Sequence, residues 1–181
     1  MCVDPGHGGS EMGSIGCSGV HESEINLNMA LRFRELLENE GATVIMTRTS
    51  DSQEHSLDER VRIATDTGAD FLISLHNNAL PDGADPWKEH GTTAFWYHPQ
   101  SIELARCLKD SLVHTLGWPD LGARYQNLAL ARPTAMPAVL VEVGFMINPD
   151  EYAKLIDSSV QSKAAQALLD GLLTYLKTNG D

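Results

Sequence analysis

At 181 residues and 42% hydrophobic, the chain has the length and apolar content for one domain with a substantial core. Its net charge of −12, with a pI near 4.9, argues against nucleic acid as a partner, because phosphate binding needs clustered Lys and Arg. No apolar run approaches the roughly 20 residues needed to span a bilayer, and three cysteines (Cys2, Cys17 and Cys107) without a CxxC pair are too few for a disulfide framework.

The chain opens on Met-Cys-Val-Asp, with no basic region and no apolar signal segment, so it is expected to be a catalytic domain cut from a longer exported protein. Val3-Asp4-Pro5 reads as a strand that stops at proline, followed by Gly6-His7-Gly8-Gly9. Glycine permits close approaches that side chains would forbid, so this loop can aim the His7 imidazole at a single point. Gly8 to His21 is Gly- and Ser-rich without periodicity and is expected to be a long loop, a feature often tied to function.

From Glu22, the spacing of Ile25, Leu27, Met29, Leu31, Phe33, Leu36 and Leu37 predicts an amphipathic helix to about Glu40, stopped by Gly41. Thr43 to Thr47 reads as a buried strand and Leu57 to Thr67 as a second helix. Asp70 to Leu75 is the clearest strand, and it delivers His76-Asn77-Asn78. Pro81 to His90 is a polar connection, Thr92 to Tyr97 a strand and Gln100 to Leu116 a helix. Pro119 to Asn127 reads as loop, Leu128 to Leu130 as a short strand, and Val139 to Val143 as an apolar strand carrying Glu142. Asn148 is suited to cap a short helix with Pro149 at its first position, and a last helix runs from about Ser159 to Lys177. The alternation implies a single α/β domain, residues 1–181, with a central, largely parallel mixed sheet of about six strands flanked by about five helices.

In an open α/β sheet the site lies outside the carboxyl ends of the strands. His7, His76 and Glu142 all follow or end strands, and Glu22 enters the first helix from the long loop. Two His plus one Glu is a familiar ligand set for catalytic zinc, and the remaining Glu can serve as general base. Each residue also has an ordinary explanation. Glu142 could pair with Arg60, Arg62 or Arg132, His76 could cap backbone groups, and Glu22 could simply favour a helix N-terminus. Cys17 lies between His7 and Glu22, but a zinc thiolate usually comes with further Cys or His nearby, so it is left outside the set. Cys2 and Cys107 read as small buried hydrophobes.

Five blocks in the same order carry a resemblance. They are Val3–Gly9, Glu22-Ser23-Glu24-Ile25-Asn26-Leu27, Thr47-Arg48-Thr49-Ser50-Asp51, Ser74-Leu75-His76-Asn77-Asn78-Ala79 and Met136–Phe145. The sequence resembles the zinc-dependent N-acetylmuramoyl-L-alanine amidases of the Amidase_3 type. The resemblance implies one Zn2+ held by His7, Glu22 and His76, with Glu142 as the catalytic glutamate. It implies hydrolysis of the amide between N-acetylmuramic acid and L-alanine in peptidoglycan, with Asn78 and Arg132 as substrate contacts. It further implies a monomeric catalytic domain that a parent protein can carry beside wall-targeting domains, acting on a peptidoglycan glycopeptide in the cell envelope, periplasmic or extracellular. Leu121 departs from the family pattern, standing where Arg is usual. His21 and His90 match no family role and read as surface histidines, and Glu24 matches no ligand position. The rival readings are another zinc peptidase and a wall-binding module that has lost catalysis.

Overall fold

The structure is a computed structural model that describes residues 1–81 and 83–179. Asp82, inside the connection expected from Pro81 to His90, and Gly180 and Asp181 lie outside the described residues. Six strands, β1 (Cys2–Pro5), β2 (Ile45–Met46), β3 (Leu72–Asn78), β4 (Thr92–Trp96), β5 (Asp120–Tyr125) and β6 (Ala138–Phe145), form one sheet in the order β2-β1-β3-β6-β4-β5. Every neighbouring pair is parallel except β4 and β6, which run antiparallel. Among the described residues five α-helices accompany it: α1 (Glu22–Asn39), α2 (Leu57–Asp66), α3 (Ile102–Leu116), α4 (Pro149–Leu155) and α5 (Ser158–Asn179). The predicted class, an α/β domain with a mixed, mostly parallel sheet, is the one observed.

Local chemistry sets the helix limits. Ser56 and Glu59 form a reciprocal capping box at the start of α2. Asn148 caps α4, accepting from the N–H groups of Asp150 and Glu151, with Pro149 at the first position. α3 ends where Gly117 takes a left-handed conformation.

Three sequence expectations need correction. The strand expected at Leu128–Leu130 is not one: Ala129–Ala131 form a 3-10 turn, and the strand lies at Asp120–Tyr125, where a loop was expected. The physical reason is position. β5 is an edge strand paired only to β4 and largely open to solvent, so it shows no buried alternation. Leu130 and Ala131 are apolar because they pack against α2 and the sheet, not because they belong to it. The buried strand expected from Thr43 to Thr47 shrinks to Ile45–Met46, half-buried on the opposite edge.

Period-two alternation gives the sheet two unlike faces. Val3, Ile73, Leu75, Val139, Val141 and Val143 point to the main core, where α1, α3 and α5 supply Met29, Phe33, Leu108, Leu112 and Leu168. Each such buried side chain contributes about 1.5–3 kcal/mol, so this layer carries the fold. The other face is apolar at its base, where Cys2, Leu72 and Ala138 meet Ala64 of α2, Leu130 and Met136, and again at the paired Leu140 and Phe95. Further along the same strands it turns polar. Asp4 pairs in register with Ser74, and His76 with Glu142. The carboxyl ends of the central strands therefore carry chemistry on the face that α2 covers only in part.

Candidate metal centre

β1 ends in a loop that the protein holds by its carbonyls. Arg48 donates to the carbonyl oxygens of Pro5 (3.0 Å), Gly6 (2.9 Å) and Ser23 (2.8 Å). Arg60 donates to Pro5 O (2.9 Å) and His7 O (2.7 Å), and its guanidinium pairs with the buried Asp4 carboxylate at 2.9 Å. Asp4 also accepts from Thr47 and Ser74. Burial alone would raise the Asp4 pKa, but Arg60 and the two hydroxyls outweigh it and hold the carboxyl below its ordinary value. With its backbone so clamped, His7 adopts φ +62°, the only positive-φ residue other than glycine among the described residues. Such conformations persist where surrounding structure fixes them, often at functional sites.

The loop from Gly8 then returns to α1. The Ser14 N–H donates to Glu22 Oε2 at 3.0 Å, and Gly13 allows the close approach, since a methyl there would lie 2.6 Å from the His7 ring and 2.7 Å from Glu22 Oε2. Glu22 is 3% exposed. Its Oε1 lies 3.2 Å from His7 Nε2 and 3.1 Å from His76 Nδ1, and it accepts from the Asn77 N–H (3.1 Å) and Asn26 Nδ2 (3.2 Å). Burial opposes its ionisation, yet the two imidazoles drive its pKa far below the usual carboxylate range. Gly6 completes the pocket, because a methyl at that position would sit 2.2 Å from the His76 ring.

One donor atom from each of His7, Glu22 and His76 lies within 4.8 Å of the others. The two imidazoles meet edge to face, their centroids 4.8 Å apart. This donor set fits zinc. His7 Nε2 and His76 Nδ1 converge within 3.2 Å of one buried carboxylate oxygen, Glu22 Oε1, and two imidazole nitrogens with one carboxylate are the donor types of a catalytic zinc site. Beside it, in register with His76, Glu142 keeps Oε2 buried without a hydrogen-bond partner. Burial is the main cause that raises its pKa to about 7, with Glu22 adding repulsion and His76 opposing. A carboxylate so placed and so tuned is suited to proton transfer near neutral pH.

Two cavities share the imidazoles. A shallow one of about 360 Å³ is lined by His7, Gly13, Glu22, His76, Asn78 and Glu142. A larger groove of about 670 Å³ runs toward α2, past Glu11, Glu54, Glu59, Leu57 and Leu130. The four residues singled out in the sequence thus meet at one edge, with Asn78 beside them. Arg132 is exposed and lines neither cavity, and its carbonyl faces His98 Nε2 at 3.0 Å.

Glu142 pairs with none of the arginines considered for it, since Arg60 is engaged by Asp4. Cys17 and Glu24 are exposed and outside the cluster. Cys107 is only partly buried. His90 is more than a surface histidine: its Nδ1 lies 2.8 Å from buried Glu151. The residues not foreseen are Asn26, Asn77, Arg48 and Arg60. Polar identity on the buried face of α1 was the available signal for Asn26; nothing in the sequence marks a guanidinium whose acceptors are backbone carbonyls.

Residues 1–174 match the Amidase_3 family, described as N-acetylmuramoyl-L-alanine amidase. The chain is 34% identical over 175 residues to the N-acetylmuramoyl-L-alanine amidase LytC of Bacillus subtilis, covering 97% of this chain and 35% of LytC. It is 34% identical over 180 residues to the probable cell wall amidase LytH of Staphylococcus epidermidis, covering 98% of this chain and 58% of LytH. The chain thus spans about a third to three fifths of these relatives. The solved catalytic domain of CwlV, an N-acetylmuramoyl-L-alanine amidase from Bacillus (Paenibacillus) polymyxa var. colistinus, superposes with a TM-score of 0.89 at 33% identity, covering 97% of each chain.

Proposed function

This chain belongs to the Amidase_3 family of N-acetylmuramoyl-L-alanine amidases, and from that premise we propose that it hydrolyses the amide joining the lactyl group of N-acetylmuramic acid to L-alanine in peptidoglycan. The observation that carries the reading is the convergence of His7, Glu22 and His76 beside the unpartnered carboxylate of Glu142, on the open edge of the sheet. His7 Nε2, His76 Nδ1 and a Glu22 oxygen would hold one zinc ion. When bound, zinc supplies Lewis-acid polarisation of the scissile carbonyl and acidification of water.

The remaining steps belong to the chain. Glu142 accepts a proton from the water that attacks the carbonyl carbon. It returns that proton to the alanine nitrogen as the C–N bond breaks, because an unprotonated amine is a poor leaving group. The pKa near 7 leaves Glu142 able to play both parts. Asn78 offers an amide to the substrate from the shallow cavity. Arg132, exposed and outside both cavities, would meet the outer part of a bulky glycopeptide.

In this reading residues 1–181 are a monomeric catalytic domain working in the cell envelope, beyond the cytoplasmic membrane, beside wall-targeting segments of a parent protein. No described helix is long and apolar enough to cross a membrane. The test separates binding from chemistry. Glu142→Gln should keep zinc and fold while turnover falls about a hundredfold to ten-thousandfold. Near-wild-type cleavage by that variant would remove Glu142 from the mechanism.

A further inference from the structure

The three candidate ligands come from three separate elements: the loop after β1, the first turn of α1 and the end of β3. One buried side chain touches all three. Asn26 is 0% exposed and lies one helical turn beyond Glu22. Its Nδ2 donates to Glu22 Oε1 at 3.2 Å and to the carbonyl of Gly6, the residue before His7, at 3.2 Å. Its Oδ1 accepts from Nδ2 of Asn77, the residue after His76, at 2.8 Å. Asn77 in turn gives its backbone N–H to the same Glu22 oxygen at 3.1 Å.

The amide can sit only one way round. Flipped, its oxygen would face two acceptors and its nitrogen a donor. A buried amide with every partner drawn from the ligand-bearing segments is costly to place and has no role in the apolar packing of α1.

We propose that Asn26 is a positioning residue for the metal: it holds the Glu22 carboxylate at its angle and locks the His7 and His76 segments to each other before the ion arrives. The inference rests on the zinc reading above and extends it to a residue that touches neither metal nor substrate. Pre-organisation of this kind acts on affinity, because without it the ion must itself order the ligands. Asn26→Leu removes all three hydrogen bonds while keeping the number of side-chain heavy atoms. Asn26→Asp keeps the shape but points oxygen at Glu22 and Gly6.

The experiment uses the purified chain and zinc alone, competed against a chromophoric chelator, together with the visible spectrum of the cobalt-substituted protein. Both variants should lose about 10- to 100-fold in zinc affinity, the range typical of such outer contacts, and should alter the cobalt spectrum. KM for wall fragments should stay at the wild-type value at saturating zinc. The rise in Tm on adding zinc reads the same affinity in a variant whose metal-free form is less stable. A merely structural role would lower the Tm of the metal-free protein and leave zinc affinity and the cobalt spectrum unchanged, and that result overturns the proposal. Wild-type protein that takes up no zinc would instead overturn the reading of the site and this inference with it. Wild-type protein holding one ion, with variants that match its affinity, would refute the role of Asn26 alone.

Discussion

Replacing Gly6 by alanine tests the site through a single methyl. Built on the backbone, that methyl lies 2.2 Å from both Cε1 and Nε2 of His76 and 2.6 Å from Cδ2. Ordinary contact begins near 3.4 Å, so ring and methyl must part by more than an ångström. The backbone is the stiffer side. The Gly6 N–H is tied to Leu75 O at 2.9 Å, and its carbonyl accepts from Arg48 and Asn26. The imidazole therefore yields. Gly6 is not in the positive-φ region, so alanine adds no backbone strain and the damage is confined to His76. A misplacement of about 1 Å in a reacting group typically costs about a hundredfold. Gly6→Ala should accordingly lose about a hundredfold or more in zinc affinity, and in turnover at limiting zinc, while the circular dichroism of the fold persists. Gly19→Ala is the control. Gly19 has φ +86° with nothing within 4 Å of the added methyl, so it should cost roughly 1–2 kcal/mol of stability and leave zinc binding alone. Wild-type zinc affinity and turnover in Gly6→Ala would refute the placement of His76 in the site.

Removing one partner of the buried Asp4–Arg60 pair, as in Arg60→Met, should cost about 3–5 kcal/mol in urea denaturation; a loss under 1 kcal/mol would contradict the network drawn around β1. Because the folded-state pKa of Asp4 is depressed below its ordinary 3.8, its contribution is complete above that pH and is lost as pH falls below it, so wild-type stability should drop more steeply there than that of Asp4→Asn. For His76, burial lowers the pKa, but the hydrogen bond to Glu22 and the Glu142 charge outweigh it, and the metal-free ring holds a proton to higher pH than free imidazole. Zinc uptake near neutral pH should then release protons, and apparent affinity should fall as pH falls; calorimetry in two buffers of different ionisation enthalpy reads the release, and none at all would remove His76 from the ligand set.

The sequence made the central strands and the helices legible because their apolar periodicity is strong and their ends carry Gly, Pro and Asn. β5 was not legible. An edge strand with solvent on most of its surface has no buried alternation to read, whereas Leu128-Ala129-Leu130 looked like a strand because Leu130 is buried by contacts from α2. At the site, His7, Glu22, His76 and Glu142 stood out as costly or reactive groups at strand and helix ends, where open sheets place chemistry. The scaffold behind them did not. Arg48 and Arg60 act on backbone carbonyls, which leave no trace in residue identity, and the reach of Asn26 across three segments exists only once the chain has folded.

The products distinguish an amidase from a peptidase. Purified chain, supplied with zinc and no other protein, is incubated with intact peptidoglycan, and the new end groups are assigned. The expected products are N-terminal L-alanine on stem peptides of unchanged length, released from glycan strands that keep their muramic acid, with release by Glu142→Gln slowed about a hundredfold or more. New termini within the stem peptide, with the bond to muramic acid intact, would make the chain a peptidase and not an amidase.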